Sequence, residues 1–168
     1  MEELILKGKK VKEAAYILSN ISTNEKNKAL NEMAKALLEN ASEIIAANKI
    51  DIENAKNKGT SEAIVDRLLL NEDRIKGMSG GLTQVAGLED PVGEVSSIIT
   101  RPNGLQIGKK RVPLGVIGII YEARPNVTCD AVGLCLKSGN ATILRGGSEA
   151  INSNKKIVQI LKKSLRKN

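Results

Sequence analysis

The chain has 168 residues, 41% of them hydrophobic, which suits one globular domain or part of a larger one, with an aliphatic core. It contains no His, Trp or Phe and only two Tyr, which excludes His-dependent nucleophilic catalysis and His-ligated metals and disfavours stacking of nucleic-acid bases. The formal net charge of +7 is uneven, because residues 1–90 hold 13 basic and 15 acidic side chains whereas residues 91–168 hold 13 basic and 4 acidic ones.

The first 90 residues lack proline and show apolar residues at helical spacing, so we expect a helical lead-in. Ser22 and Glu25 form a capping-box pattern, Gly59 fits the C-cap of a helix over 41–58, and Ser61 fits the N-cap of the next. A last helix is expected over about 72–87. The residues predicted to face inward are Val11, Ala14, Ala15, Leu18, Ala29, Leu30, Met33, Ala34, Leu37, Leu38, Ile44, Ile45, Ile52, Ala55, Ile64, Val65, Leu68 and Leu69. This half holds no catalytic constellation, and we expect it to be scaffold.

Residues 94–112 are predicted to form an exposed β-hairpin. A β-prone run over 95–100 is followed by the turn sequence Arg101-Pro102-Asn103-Gly104 and a second run over 105–112 with rough alternation. Such a hairpin is either ordinary surface or a strand-pairing interface for another subunit.

Residues 113–168 show the pattern of a βαβα unit. The apolar run over 114–120 has no alternation, which is typical of a strand buried on both faces of a parallel sheet, and a second buried strand is expected over 140–144. Helices are expected over 127–137, ended by Ser138-Gly139, and over 149–167. The fold class is therefore α/β: N-terminal helices, a hairpin, then the first βαβα of a doubly wound, Rossmann-like sheet.

Ligands of such sheets bind at the carboxyl ends of the strands, where the predicted loops are 121–126 and 145–148. Arg145 stands at the second strand's end, where NAD-binding folds place an acidic residue, which favours NADP over NAD. Gly146 and Gly147 allow close backbone approach, and Ser148 can cap the next helix. The alternative is a plain surface turn, because the first loop lacks G-x-G-x-x-G.

Cys129 and Cys135 are too few for a disulfide framework and indicate a reducing compartment. The start of the chain is acidic, and no apolar run is long enough for a signal peptide or a membrane span. We therefore expect a cytoplasmic protein.

The runs VPLGVIGIIYEARPNVT (112–128) and LCLKSGNATILRGGSEA (134–150), with PNGL at 102–105, resemble the γ-glutamyl phosphate reductases of the aldehyde dehydrogenase superfamily. The resemblance covers essentially the whole chain. It implies NADPH-dependent reduction of L-glutamyl 5-phosphate to L-glutamate 5-semialdehyde and phosphate, a step of proline biosynthesis. It also accounts for the missing glycine fingerprint, which that superfamily lacks.

The resemblance further implies roles for individual residues. Asn126 corresponds to the amide that donates to the oxyanion formed at the catalytic cysteine, and its alternative role is a turn residue after Pro125. Arg124 is expected to contact the anionic substrate. The residues expected to bind the cofactor are Ile119, Ile120, Arg145, Gly146, Gly147 and Ser148. Ser148 replaces a Glu that is frequent in NAD-preferring relatives, and a Ser can donate to a 2′-phosphate where a Glu would repel it.

The family is well over twice as long as this chain, and its catalytic Cys lies in a later segment. Neither Cys129 nor Cys135 matches that Cys. Both are expected to be buried small hydrophobes, although the position of Cys129 near a helix N-terminus could lower its pKa. We therefore expect the N-terminal part of the NADP-binding domain, without the catalytic domain and inactive alone, either a truncated form or a truncated gene product. Its divisions are the lead-in (1–90), the hairpin (94–112) and the βαβα unit (113–168).

Two alternatives to the reductase fragment remain open. The first is a non-enzymatic module that binds a nucleotide or associates with itself through the 94–112 hairpin. The second, a nucleic-acid binder, is disfavoured because a run of charges on a terminal helix is usually a solvated face and no aromatic motif accompanies the run in this chain. The basic residues behind it are Lys155, Lys156, Lys162, Lys163, Arg166 and Lys167.

Overall fold

Five helices form the first half of the chain, as its lack of proline predicts. The computed structural model describes residues 2–165. The helices are α1 (Glu2–Leu18), α2 (Thr23–Glu39), α3 (Ala41–Asn57), α4 (Glu62–Leu68) and α5 (Glu72–Gly87). Among the described residues, no helix is both long enough and apolar enough to cross a membrane.

The helix starts follow local capping chemistry. The backbone N–H of Glu25 donates to Ser22 Oγ, and the Glu25 carboxylate accepts from the Ser22 N–H at 3.0 Å, which confirms the predicted capping box. Asn71 caps α5 by accepting from the Arg74 N–H at 2.8 Å, a cap that the prediction missed. Ser61 occupies the N-cap position of α4, as predicted, but its side chain makes no capping hydrogen bond.

The main core lies between α2, α5 and the two later helices, α6 (Pro125–Lys137) and α7 (Ile151–Leu165). Its fully buried aliphatic side chains include Leu30, Leu37, Ile44, Ile75 and Ile157. Four side chains predicted to face inward are exposed instead: Ala14, Leu38, Ile64 and Leu69. Each of the four lies beside other apolar residues, and the helix buries only part of this apolar surface. The buried position is therefore taken by a neighbour, for example Leu37 beside Leu38 and Leu68 beside Leu69.

A buried ion pair fixes the connection after α5. Lys26 on α2 is almost fully buried, and its Nζ donates to Asp90 Oδ2 at 2.9 Å. Burial by itself would raise the pKa of Asp90. Hydrogen bonds from Lys26, from the N–H of Val92 and from Thr23, together with the Lys26 charge, hold that pKa below its usual value.

The predicted hairpin is present as β1 (Val95–Thr100) and β2 (Gln106–Lys110), which pair antiparallel. Gly104 takes φ +82° in the turn, a conformation that its missing Cβ permits. Every residue of both strands is exposed, as expected. The strands are shorter than the predicted 94–112 arm, although backbone bonds from Arg111 to Glu94 and from Gly93 to Arg111 continue the pairing.

The second half ends in the predicted βαβα unit. It comprises β3 (Val116–Ile120), α6 (Pro125–Lys137), β4 (Ala141–Arg145), a 3-10 turn (Ser148–Ala150) and α7 (Ile151–Leu165). β3 and β4 pair in parallel, with Ile120 opposite Arg145. The predicted end of the last helix, with Arg166 and Lys167, lies outside the described residues.

The expectation that both strands are buried was wrong. Along β3 exposed and half-buried residues alternate, Ile120 is 78% exposed, and Leu114 before the strand is 86% exposed. β4 is buried only at Ala141 and half-buried or exposed beyond it. The reason is that, within residues 2–165, helices cover this two-stranded sheet incompletely: α1 packs against both strands and α6 mainly against β4.

Candidate functional site

The two loops predicted to bind a ligand meet at the carboxyl ends of β3 and β4. The Tyr121 N–H donates to the Arg145 carbonyl at 3.1 Å, which extends the parallel ladder into the loops. Ile119 is half-buried, whereas Ile120 and Arg145 are exposed. The exposed Ser148 follows one short loop later. The structure therefore brings the six predicted cofactor residues to one edge of the sheet.

The two glycines of the second loop lie close to other groups of the protein. A Cβ on Gly146 would lie 2.3 Å from Asn154 Nδ2 and 3.0 Å from the Tyr121 ring. A Cβ on Gly147 would lie 2.7 Å from a Glu149 carboxylate oxygen and 3.3 Å from the Ala123 backbone nitrogen. Gly146 thus packs the second loop onto the first, a role in addition to the close ligand approach that the sequence suggested.

A polar network beneath the loops joins three elements. Tyr121 Oη and Thr128 Oγ1 are hydrogen-bonded at 2.6 Å, and Thr128 Oγ1 donates to Asn154 Oδ1 at 2.9 Å. Thr128 and Asn154 are buried. The loop after β3, helix α6 and helix α7 are therefore held in one arrangement. The sequence did not predict this network because Tyr121 was expected in a loop and Thr128 and Asn154 in two separate helices, and no local pattern links them.

The start of α7 is capped from a distant helix. The buried Asp51 of α3 accepts from the backbone N–H groups of Asn152 at 3.2 Å and Ser153 at 2.8 Å, and from both of their side chains. Ser148, predicted to cap this helix, makes no such bond, because a 3-10 turn separates it from α7. A cap supplied across 101 residues leaves no local sequence signal.

Arg124 and Asn126 lie in a cavity on the α4–α5 side of the loops. The cavity has a volume of about 510 Å³, within the usual range for small-molecule sites. It is lined by Asp66, Arg67, Leu69, Leu70, Arg74, Gly77, Met78, Arg124, Asn126 and Asp130. Most of these residues come from the first half of the chain, the half that we expect to be scaffold.

Asn126 lies in the first turn of α6, not in a loop as predicted. Pro125 occupies a first-turn position, where its fixed φ suits a helix and its missing N–H costs no hydrogen bond. The exposed Asn126 amide donates to Asp130 Oδ2 over a long 3.4 Å. An exposed amide with one such weak bond keeps donor capacity for a ligand in the cavity.

Both cysteines are buried and unsuited to nucleophilic attack. Burial, and secondarily the charge of Asp130, raises the pKa of Cys129 to about 12. Burial also raises the pKa of Cys135. The alternative prediction, that the N-terminal end of α6 lowers the pKa of Cys129, is therefore wrong. Both cysteines are buried and unpaired, as expected of small hydrophobic residues.

No group of three or more Cys, Asp or Glu within the described residues is placed to hold a metal.

The fold defined by these elements is that of the aldehyde dehydrogenases. An NAD-dependent benzaldehyde dehydrogenase from Corynebacterium glutamicum superposes with a TM-score of 0.68 at 20% identity, covering 92% of this chain and 31% of that one. A γ-glutamyl phosphate reductase from Thermotoga maritima superposes far better, with a TM-score of 0.96 at 51% identity over 99% of this chain and 40% of that one. No protein-family model matches the chain.

The sequence comparison agrees with the second structure. The γ-glutamyl phosphate reductase of Clostridium botulinum (strain Eklund 17B / Type B) is 66% identical over 161 residues, which cover 96% of this chain and 39% of that protein. The chain belongs to the γ-glutamyl phosphate reductase family and corresponds to its N-terminal part. It spans about 40% of the length of the relatives it matches.

Proposed function

We propose that this chain supplies the NADPH-binding edge and part of the substrate site of a reductase that converts L-glutamyl 5-phosphate to L-glutamate 5-semialdehyde and phosphate. The observation that carries the proposal is that the loop after β3, which packs against the loop at Gly147, connects two sets of residues. The first is the strand edge at Arg145, and the second is the cavity that holds Arg124 and Asn126. The sequence relationship to reductases of that name supports the choice of reaction. The proposed setting is proline biosynthesis in the cytoplasm.

The residues at the strand edge fit a phosphorylated nicotinamide cofactor. Arg145 is exposed, and none of the described carboxylates forms an ion pair with it, so its guanidinium is available to a phosphate. Ser148 adds a hydroxyl donor next to it, and Ile119 and Ile120 add apolar surface. Gly146 and Gly147 bring the backbone of the second loop close to the first. When bound, NADPH supplies the hydride that reduces the acyl carbon.

The residues of the cavity fit the reacting end of the substrate. The Asn126 amide donates to the oxygen that becomes negative when the acyl carbon is attacked, and a donor fixed there stabilises the transition state. The Arg124 guanidinium compensates the charge of the phosphate that leaves. The attacking thiolate must come from elsewhere, because Cys129 and Cys135 are buried thiols with raised pKa values. We therefore propose that residues 1–168 alone have no reductase activity.

A cofactor titration tests this proposal. The isotope-labelled chain is titrated with NADPH and, separately, with NADH, while backbone amide shifts are followed by NMR. We expect NADPH to bind more tightly, and R145A to weaken NADPH binding about tenfold while hardly changing NADH binding, since one charged hydrogen-bonding partner of a phosphate is lost. The matched control is R101A, which removes an exposed Arg from the hairpin turn. Absence of NADPH binding at millimolar concentration, or equal loss in both variants, would refute the proposal.

The exposed hairpin favours a second, additional role in self-association. The side chains of Ile98, Ile99 and Ile107 are each about half or more exposed on a two-stranded arm that contacts little else. Exposed apolar strands are typical of pairing interfaces. We propose that residues 94–112 join copies of the protein in a homo-oligomer. Sedimentation analysis should show an oligomer that I98D converts to monomers, and a monomeric wild-type chain would exclude this role.

Nucleic-acid binding is not part of the proposal. The basic residues of α7 that prompted it include Lys156, which is half-buried and pairs with Glu43 at 3.1 Å. The others described are Lys155, Lys162 and Lys163. No aromatic side chain accompanies them on α7, as a base-stacking surface would require.

A further inference from the structure

The cavity beside Asn126 contains two charged groups that form no ion pair with any described residue. Arg74 is paired with the Asp66 carboxylate at 2.9 Å and also donates to backbone carbonyls, including that of Leu69. Arg67 lies 3.9 Å from Glu122. No described residue forms an ion pair with the remaining two groups, the Arg124 guanidinium and the Asp130 carboxylate. The cavity therefore offers one free cation and one free anion among its described residues.

Asp130 is held where a cationic ligand group could reach it. It lies on α6 one helical turn after Asn126, whose amide gives it a single 3.4 Å hydrogen bond. On the facing helix α5, Gly81 leaves space, since even an added Cβ there would remain 3.8 Å from Asp130 Oδ1. Burial raises the pKa of this carboxylate, and the Asn126 bond offsets the effect only in part. A partly desolvated anion with one weak donor gains from a cation brought by a ligand.

The dimensions of the proposed substrate are compatible with contacts to both side chains. Asn126 Nδ2 and Asp130 Oδ2 lie 3.4 Å apart, and two ligand atoms that each hydrogen-bond one of them at about 3 Å can be about 5 Å from each other. In a γ-glutamyl group, four single bonds of about 1.5 Å join the acyl carbon to the α-nitrogen, so the two atoms are about 5 Å apart when the chain is extended. A substrate whose acyl oxygen accepts from Asn126 can therefore place its α-ammonium group at Asp130.

We propose that Asp130 binds the α-ammonium group of the γ-glutamyl substrate and thereby selects an amino acid over an acyl compound that lacks the amine. This inference rests on the proposed function, since it assigns the other end of the same substrate. The competing role is that Asp130 only orients the Asn126 amide. An orienting carboxylate would affect ligands with and without an amine equally, whereas a recognition carboxylate affects only the ligand that has one.

The test uses two ligands that differ only by the amine, L-glutamate and glutarate. Each is titrated into the isotope-labelled chain, and the amide shifts of α5 and α6 are followed by NMR. We expect L-glutamate to bind with a dissociation constant about fivefold lower than that of glutarate, the upper range for an ion pair partly open to water. D130N should abolish this preference. D73N removes a carboxylate from α5 outside the cavity and should keep it.

The outcomes separate this inference from the proposed function. If wild type binds both ligands equally, or neither, or if D130N keeps the preference, the assignment of Asp130 is overturned. NADPH binding is measured on the same sample and reports through the amides near Arg145. Cofactor binding without a glutamate preference would remove the Asp130 inference alone, whereas loss of both would remove the proposed function as well. Unchanged amide dispersion in each variant shows that the chain remains folded.

Discussion

Replacing Gly146 by Ala tests whether this glycine packs the two ligand loops together. The new Cβ would lie 2.3 Å from Asn154 Nδ2, more than 1 Å closer than such atoms normally approach, and 3.0 Å from the Tyr121 ring. Asn154 cannot move freely, because its Oδ1 accepts from Thr128, which is itself bonded to Tyr121. The strain therefore acts on the whole network.

The magnitude follows from two costs. Overpacking a well-packed interior destabilises a protein by about 1–3 kcal/mol. Breaking one bond of the network adds about 1 kcal/mol. We therefore expect G146A to lower the free energy of unfolding by about 2–4 kcal/mol, with no cofactor present. For a chain of this size that corresponds to a fall in melting temperature of roughly 4–16 °C.

Urea unfolding followed by circular dichroism measures the effect. G80A is the matched control: Gly80 lies inside α5 with nothing within 4 Å of an added Cβ, so Ala should raise stability by up to about 1 kcal/mol through helix propensity. The double variant G146A/N154A should recover part of the loss, because the clashing amide is gone. A G146A chain as stable as wild type, or no coupling between the two sites, would refute the packing argument and leave ligand approach as the reason for the glycine.

Three further predictions concern the rest of the fold. D51A should lower the free energy of unfolding by about 3 kcal/mol in urea titrations, because it leaves the capped donors of α7 without an acceptor, whereas E53A on the exposed side of α3 should change little. The folded pKa of Asp90 lies below its ordinary value of 3.8, so its stabilisation is present above about pH 4 and is lost as the pH falls through the folded pKa; D90N should be less stable at neutral pH and lose less stability on acidification. Cys129 and Cys135 should resist an aromatic disulfide reagent at pH 8 in the folded chain and react fully in urea, and rapid reaction without denaturant would contradict the burial of both thiols.

Local patterns in the sequence were sufficient for the element order. The capping box at Ser22, the proline-free first half and the Pro-Asn-Gly turn of the hairpin each act within a few residues, so they could be interpreted without the fold. The two apolar runs that became β3 and β4 were identified as a parallel pair for the same reason. The location of Arg145 at a strand end followed directly from that order.

Burial and the candidate site depended on distant contacts. Whether Ile120 is covered depends on which elements pack around β3, which hydrophobicity alone does not specify. Asp51 caps α7 from 101 residues away, and Asn154 meets Gly146 only because α7 packs beneath both loops. The sequence likewise could not predict that Asp130 lacks an ion-pair partner, because this depends on which basic side chains the fold places beside it.

The sequence by itself therefore determined the order of helices and strands, the uneven distribution of the +7 charge and the family resemblance, all of which depend on residue types and short spacings. Only the tertiary structure decided that the acidic first half contributes Asp66, Arg67 and Arg74 to the wall of the cavity. It also decided that Gly146 is enclosed by Asn154 and Tyr121. The physical reason is that a site formed between elements depends on how those elements pack, and packing is a property of the whole chain.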